Sequence, residues 1–90
     1  MKIRKKIFLS GRVQGVGMRY EGKGKAEALG LKGSIRNLKD GRVEIMAEGE
    51  PEKIKALIDW LRKSSPGRVQ RIEETEDSSI RSFQGFEIIY

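Results

Sequence analysis

The chain has no cysteine and no histidine. The first absence excludes disulfides, thiolate nucleophiles and cysteine metal sites. The second removes the commonest general base and the commonest metal ligand. Chemistry must then come from Arg, Lys, Asp, Glu, Ser, Tyr, Asn or the backbone. Long apolar runs are also missing: nothing approaches the roughly 20 residues of a membrane span. The run IFL that follows the basic start MKIRKK is too short for a secretion signal. These absences lead to the expectation of a soluble, cytoplasmic protein with no membrane partner. Asn37 is the only asparagine and Thr75 the only threonine, among many Lys and Glu. That balance fits a heat-adapted protein, and it raises the question of what the single asparagine does.

What is present is charge. The 90 residues carry 19 Lys and Arg and a net charge of +6, a surface that attracts anions of any kind. A chain of this length has room for one core, so residues 1–90 are expected to form a single domain. Residues 3–13 read as a strand and 19–29 as a first helix stopped by Gly30, with Gly22, Ala26 and Leu29 as its apolar stripe. A second strand is expected over 32–38. After the turn KDG, Val43, Ile45 and Ala47 alternate with Glu44, Met46 and Glu48 in a half-buried third strand.

A second helix runs from Pro51 to Lys63, with Ile54, Leu57, Ile58 and Leu61 as its core stripe. Trp60, at the edge of that stripe, is assigned to packing. Residues 68–76 make a charged edge strand, and QGFEIIY closes the chain with Phe86, Ile88 and Tyr90 on one face. The order β-α-β-β-α-β plus a C-terminal strand is that of an α+β ferredoxin-like sandwich, an antiparallel sheet with both helices on one face.

The segment Gly11–Tyr20, GRVQGVGMRY, lies between the first strand and the first helix. Gly15 and Gly17 permit conformations in which successive N–H groups converge on one point, beside the positive end of a helix. Such a nest suits a phosphate, and Arg19 adds a fork of donors able to grip two of its oxygens. The loop matches neither GxxxxGK[ST] nor GxGxxG. From the residues alone it serves equally well as a tight turn, with Arg19 a solvated charge. In the same way Asn37, three residues before Asp40–Gly41, could simply cap a hairpin.

Over nearly its whole length the chain resembles the acylphosphatase family. GRVQGVGMR is similar to the family's GRVQGVGFR, GLKGSIRNLKDGRVEIMAEGE to its GLxGWVRNxxDGxVE block, and GFEIIY to its last strand. The resemblance implies hydrolysis of a small acyl phosphate to a carboxylate and inorganic phosphate, without metal or cofactor. It implies that Arg19 binds the phosphate together with the backbone of Gln14, Gly15, Val16, Gly17 and Met18. It further implies that Asn37 holds the attacking water. Arg36 falls on the opposite face from Asn37 by strand alternation and is assigned to solvent or a salt bridge.

The chain departs from the family pattern at Met18, in place of Phe, and at Ser34, in place of a Trp that would cover the site's strand. Glu21 and Gly22 stand where packing residues are usual. Gly22 is expected to leave a gap beneath the first helix, loosening it and Arg19 with it. Two alternatives share the topology: an RNA-binding module, and a phosphate-binding domain without useful turnover. RNA modules stack bases on aromatics of the central strands, and Phe8 is the only aromatic of the first strand while RVEIMAE has none. Nucleic acid is therefore not the expected partner, and the chain is expected to act as a monomer.

Overall fold

Register decides which side chains share a face. Ile7 pairs with Ile45, Ile45 with Ile35, and Ile35 with Ile88, so one apolar row crosses four strands. In a computed structural model, residues 1–78 and 83–90 are described. The elements are β1 (Ile3–Arg12), α1 (Met18–Ala28), β2 (Lys32–Asn37), β3 (Val43–Gly49), α2 (Pro51–Lys63), β4 (Arg68–Glu76) and β5 (Phe86–Ile89). The strands lie in the order β4-β1-β3-β2-β5. α1 packs over β2 and β5, and α2 over β3 and β4. The isoleucine row joins Leu9, Val43, Ala47 and the α2 stripe Ile54, Leu57, Ile58 and Leu61 in one core.

The helices obey their local signals. α2 begins with Pro51 in its first turn and buries the expected stripe. α1 ends in a Schellman turn: Leu31 N–H donates to the Ala26 carbonyl at 2.9 Å, and Gly30 N–H to the Glu27 carbonyl at 3.0 Å. α1 starts at Met18 and buries Met18, Gly22 and Ala26, while Leu29 falls just outside it and is half-buried. Trp60 is half-buried and packs against the core.

Four expectations are corrected. The sheet is mixed, not antiparallel throughout, because β5 pairs with β2 in parallel. The reason is topological: β1, β3 and β2 alternate in direction, β4 is antiparallel to β1, and one further reversal makes β5 point the same way as β2. Gly22 leaves no gap. A Cβ built on it would lie 2.9 Å from Cδ1 of Ile35, so the β2 side chain already fills that space and α1 sits close to the sheet. Ser34 does not belong to the cover of the Asn37 side. It is 3% exposed and pairs with Met46, itself buried, on the face turned away from the helices. Phe83 is buried as well, with the Arg4 guanidinium 5.5 Å from its ring centre. Met46 was expected on a solvated face; the opposite face is thus partly apolar.

Candidate active site

β1 delivers the chain to the glycine loop. Val13 is 1% exposed and Met18 2% exposed, so both ends of the loop are pinned in the core. Between them, Gly15 has φ +73° and Gly17 φ +85°, the left-handed region that other residues enter at a cost of roughly 1–2 kcal/mol. Gly17 occupies the cap position of α1 and, having no side chain, gives the helix no side-chain cap. The first N–H groups of a helix have no partner inside it. Among the described residues no side chain caps them, and Glu21 N–H donates to the Gly17 carbonyl at 3.0 Å.

Asn37 reaches the same place from β2. It pairs with Val43, which pairs with Leu9, so strand alternation sets it on the helix side of the sheet at the end of the apolar rows. Arg36 points the other way and pairs with Glu44, Nε to Oε1 at 2.8 Å, as alternation predicts. The loop and the end of β2 border a cleft of ≈ 180 Å³. Gly15, Gly17, Met18, Arg19 and Asn37 all line it, over a floor that includes Val13 and Ile88. It is smaller than the roughly 300–1,000 Å³ of drug-sized sites, a scale suited to a compact anion. A wider groove of ≈ 640 Å³ between α1 and α2, bordered by Tyr20, Gly24 and Trp60, contains neither Arg19 nor Asn37.

Of the residues singled out in the sequence, Gln14 and Val16 do not line the cleft. The Val16 side chain packs on the core. The Gln14 side chain turns to the β2–β3 connection, where Nε2 donates to the carbonyls of Leu38 and Arg42. Conversely, Tyr20 and Tyr90 line the cleft without having been anticipated. Tyr90 had a signal, since it alternates with Phe86 and Ile88. The parallel ladder pairs Arg36 with Ile89, and the next step along it sets Tyr90 beside Asn37. The Arg19 guanidinium carbon lies 4.9 Å from the Tyr90 ring centre, a cation–π contact.

No Asp or Glu side chain lines this cleft. Among the described residues no Asp or Glu forms an ion pair with Arg19. An acidic group with a displaced pKa, Asp40, sits in the β2–β3 turn. The backbone N–H of Arg42 bonds its Oδ1 at 3.0 Å and the Arg42 side chain its Oδ2 at 2.8 Å, which lowers its pKa below the usual carboxylate value. Among the described residues no group of three or more His, Cys, Asp or Glu is arranged to hold a metal ion. No helix among them is long and apolar enough to cross a membrane.

Comparison with known proteins agrees with the early resemblance. The Acylphosphatase family model matches residues 5–88. An acylphosphatase of Acaryochloris marina is 45% identical over 84 residues, 93% of this chain and 90% of that protein. An acylphosphatase of Thermococcus kodakarensis is 39% identical over 89 residues, 98% of this chain and 97% of its own. The crystal structure of acylphosphatase from Bacillus subtilis superposes with a TM-score of 0.91 at 37% identity, covering 100% of both chains.

Proposed function

The chain belongs to the acylphosphatase family, enzymes that hydrolyse acyl phosphates, and from that premise we propose how its own residues carry the reaction. The phosphoryl group sits against the N–H groups of Gln14 to Met18, with Arg19 bonding two of its oxygens. Asn37 holds a water in line with the bond to be broken, its carboxamide able both to accept from and to donate to that water. The water oxygen bonds to phosphorus as the bond from phosphorus to the carboxylate oxygen breaks. Asn is no base, so the water's proton passes to a phosphate oxygen of the substrate. The products are a carboxylate and inorganic phosphate.

The residues suit this chemistry. A carboxylate is a good leaving group and needs no strong general acid. Phosphoryl transfer spreads charge over the equatorial oxygens, so electrostatic stabilisation and positioning supply most of the catalysis. The observation that carries the reading is that one small cleft, lined by no Asp or Glu side chain, brings together Arg19, Asn37 and two glycines of positive φ, Gly15 and Gly17. The family match over residues 5–88 supports reading residues 1–90 as one domain. A cytoplasmic enzyme acting as a monomer, without metal or cofactor, completes the proposal.

The test is release of phosphate from acetyl and benzoyl phosphate in the presence of EDTA. Arg19→Ala and Asn37→Ala are each expected to lose on the order of 10²-fold or more, the scale of one preorganised electrostatic or positioning group. Full activity in both variants would reject these roles, and loss of wild-type activity to EDTA would reject the metal-free mechanism. The phosphate-binding alternative predicts tight binding of inorganic phosphate with no turnover. Against RNA binding, Phe8, on the face away from the helices, has the Arg42 guanidinium 4.6 Å from its ring centre rather than an open stacking surface.

A further inference from the structure

Gln14 opens the glycine loop, yet its side chain leaves it. Nε2 donates to the Leu38 carbonyl at 2.8 Å and to the Arg42 carbonyl at 2.9 Å, in a part-buried position. The Arg42 oxygen also accepts the Leu38 N–H at 2.8 Å. One carboxamide nitrogen thus uses both its hydrogens to join the start of the loop to the β2–β3 turn. Leu38 is the residue after Asn37, and Gly15 the residue after Gln14. The two halves of the cleft are tied one residue from each.

Nothing in the sheet makes this tie. β1 and β2 are not neighbours, because β3 lies between them. The β1–β3 ladder ends at Leu9–Val43 and the β2–β3 ladder at Asn37–Val43. Past that row the loop and the turn leave β3 separately, and the Gln14 side chain spans the space between them. The task is specific to glutamine. It needs two donors on one atom, no charge, and the reach of two methylenes. Glutamate would set a carboxylate against two carbonyl oxygens, and asparagine is one methylene short.

We propose that Gln14 is a positioning residue for hydrolysis. By holding the β2–β3 turn to the start of the loop, it fixes the distance from Asn37 to the phosphate held on that loop. The inference rests on the roles given to the loop, Arg19 and Asn37 under Proposed function. Attack requires reacting atoms about 3–3.5 Å apart, and an error near 1 Å costs ~10²-fold. A tie that sets the relative place of water and phosphorus acts on kcat. It acts little on phosphate affinity, which depends on the loop and Arg19.

The experiment compares full-length wild type, Gln14→Met, Gln14→Asn, Asn37→Ala and the Gln14→Met/Asn37→Ala double variant. The readouts are kcat and KM on acetyl phosphate and inhibition by inorganic phosphate, with rates normalised to the folded fraction from urea titrations. Gln14→Met is expected to lower kcat ~10-fold or more and to change the phosphate inhibition constant less than about threefold. Gln14→Asn, which keeps the amide but not the reach, is expected to fall with it. It also supplies the comparison if the Met variant does not fold.

In the Asn37→Ala background the Gln14 change is expected to cost less than about twofold, because the group it positions is gone. A merely structural glutamine would cost the same factor in both backgrounds, and that result would overturn the inference while leaving Asn37 in its role. Wild-type kcat in Gln14→Met would overturn it too. Wild-type activity in Asn37→Ala would remove the underlying reading, and this inference with it.

Discussion

Two glycines of α1 are two residues apart and are expected to respond oppositely to the same substitution. Both lie inside the helix, where alanine is favoured over glycine by about 0.8–1.0 kcal/mol. Gly24 is exposed, and a Cβ built there has nothing within 4 Å. Gly24→Ala should therefore keep the full gain of about 1 kcal/mol. For a domain of this size that raises Tm by roughly 4–8 °C. Gly22 is buried, and its Cβ would meet Cδ1 of Ile35 at 2.9 Å. That atom is the end of a flexible side chain, so alanine can be accommodated. However, Ile35 is fully buried, so its Cδ1 must shift within a packed core, and overpacking of this kind costs about 1–3 kcal/mol. Gly22→Ala should thus be neutral or destabilising by up to about 2 kcal/mol. Urea titrations at constant slope decide between them. The reasoning fails if Gly22→Ala stabilises as much as Gly24→Ala, because Gly22 would then be a gap under the helix and not a close approach. It fails equally if Gly24→Ala destabilises.

Gly17→Ala places a Cβ on a residue with φ +85° and should cost roughly 1–2 kcal/mol in stability. Its loss of kcat/KM should be larger than that stability change explains, and a variant with normal turnover would detach the loop from the reaction. Tyr90→Ala removes the ring 4.9 Å from the Arg19 guanidinium, a contact of about 0.5–1 kcal/mol at an exposed site. Inhibition by inorganic phosphate should weaken ~2–5-fold, and an unchanged constant would mean that the ring rests on Arg19 without orienting it. Asp40 has a folded pKa below its unfolded value, set by the Arg42 backbone and side chain. Its contribution to stability is present above the unfolded value of about 4 and is lost as pH falls through the lower folded one. Asp40→Asn should therefore be less stable than wild type at neutral pH and converge with it in acid; parallel curves down to the lowest pH would contradict the assignment.

Much of the fold was legible because its signals are local. The boundaries of α2 follow from Pro51 and the spacing of Ile54, Leu57, Ile58 and Leu61. β3 follows from alternation, as does the opposition of Arg36 and Asn37. Alternation also bears on Ser34, three residues from Asn37 and so on the other face, although the missing Trp suggested a gap in the site. The candidate site was legible for a different reason: two short motifs, GRVQGVGMR and the segment around Asn37, resemble known ones.

Other features depended on partners distant in the chain. Composition showed an absent side chain at Gly22, but only the sheet brings Ile35 into that space. The direction of β5 and the arrival of Tyr90 beside Asn37 follow from pairing with β2, which a four-residue strand does not announce. Nor does the sequence near Gln14 name the carbonyls of Leu38 and Arg42 as its partners.

By itself, then, the sequence determined the elements, their order and the chemical groups on offer: a glycine turn, an arginine directly after it, one asparagine. Periodicity, caps and turn residues act within a few positions, where the chain is its own environment. Tertiary structure alone decided which of those groups meet. Strand register and direction, and the packing of α1 on β2, are set by contacts between residues far apart in the chain, whose energies no local stretch contains.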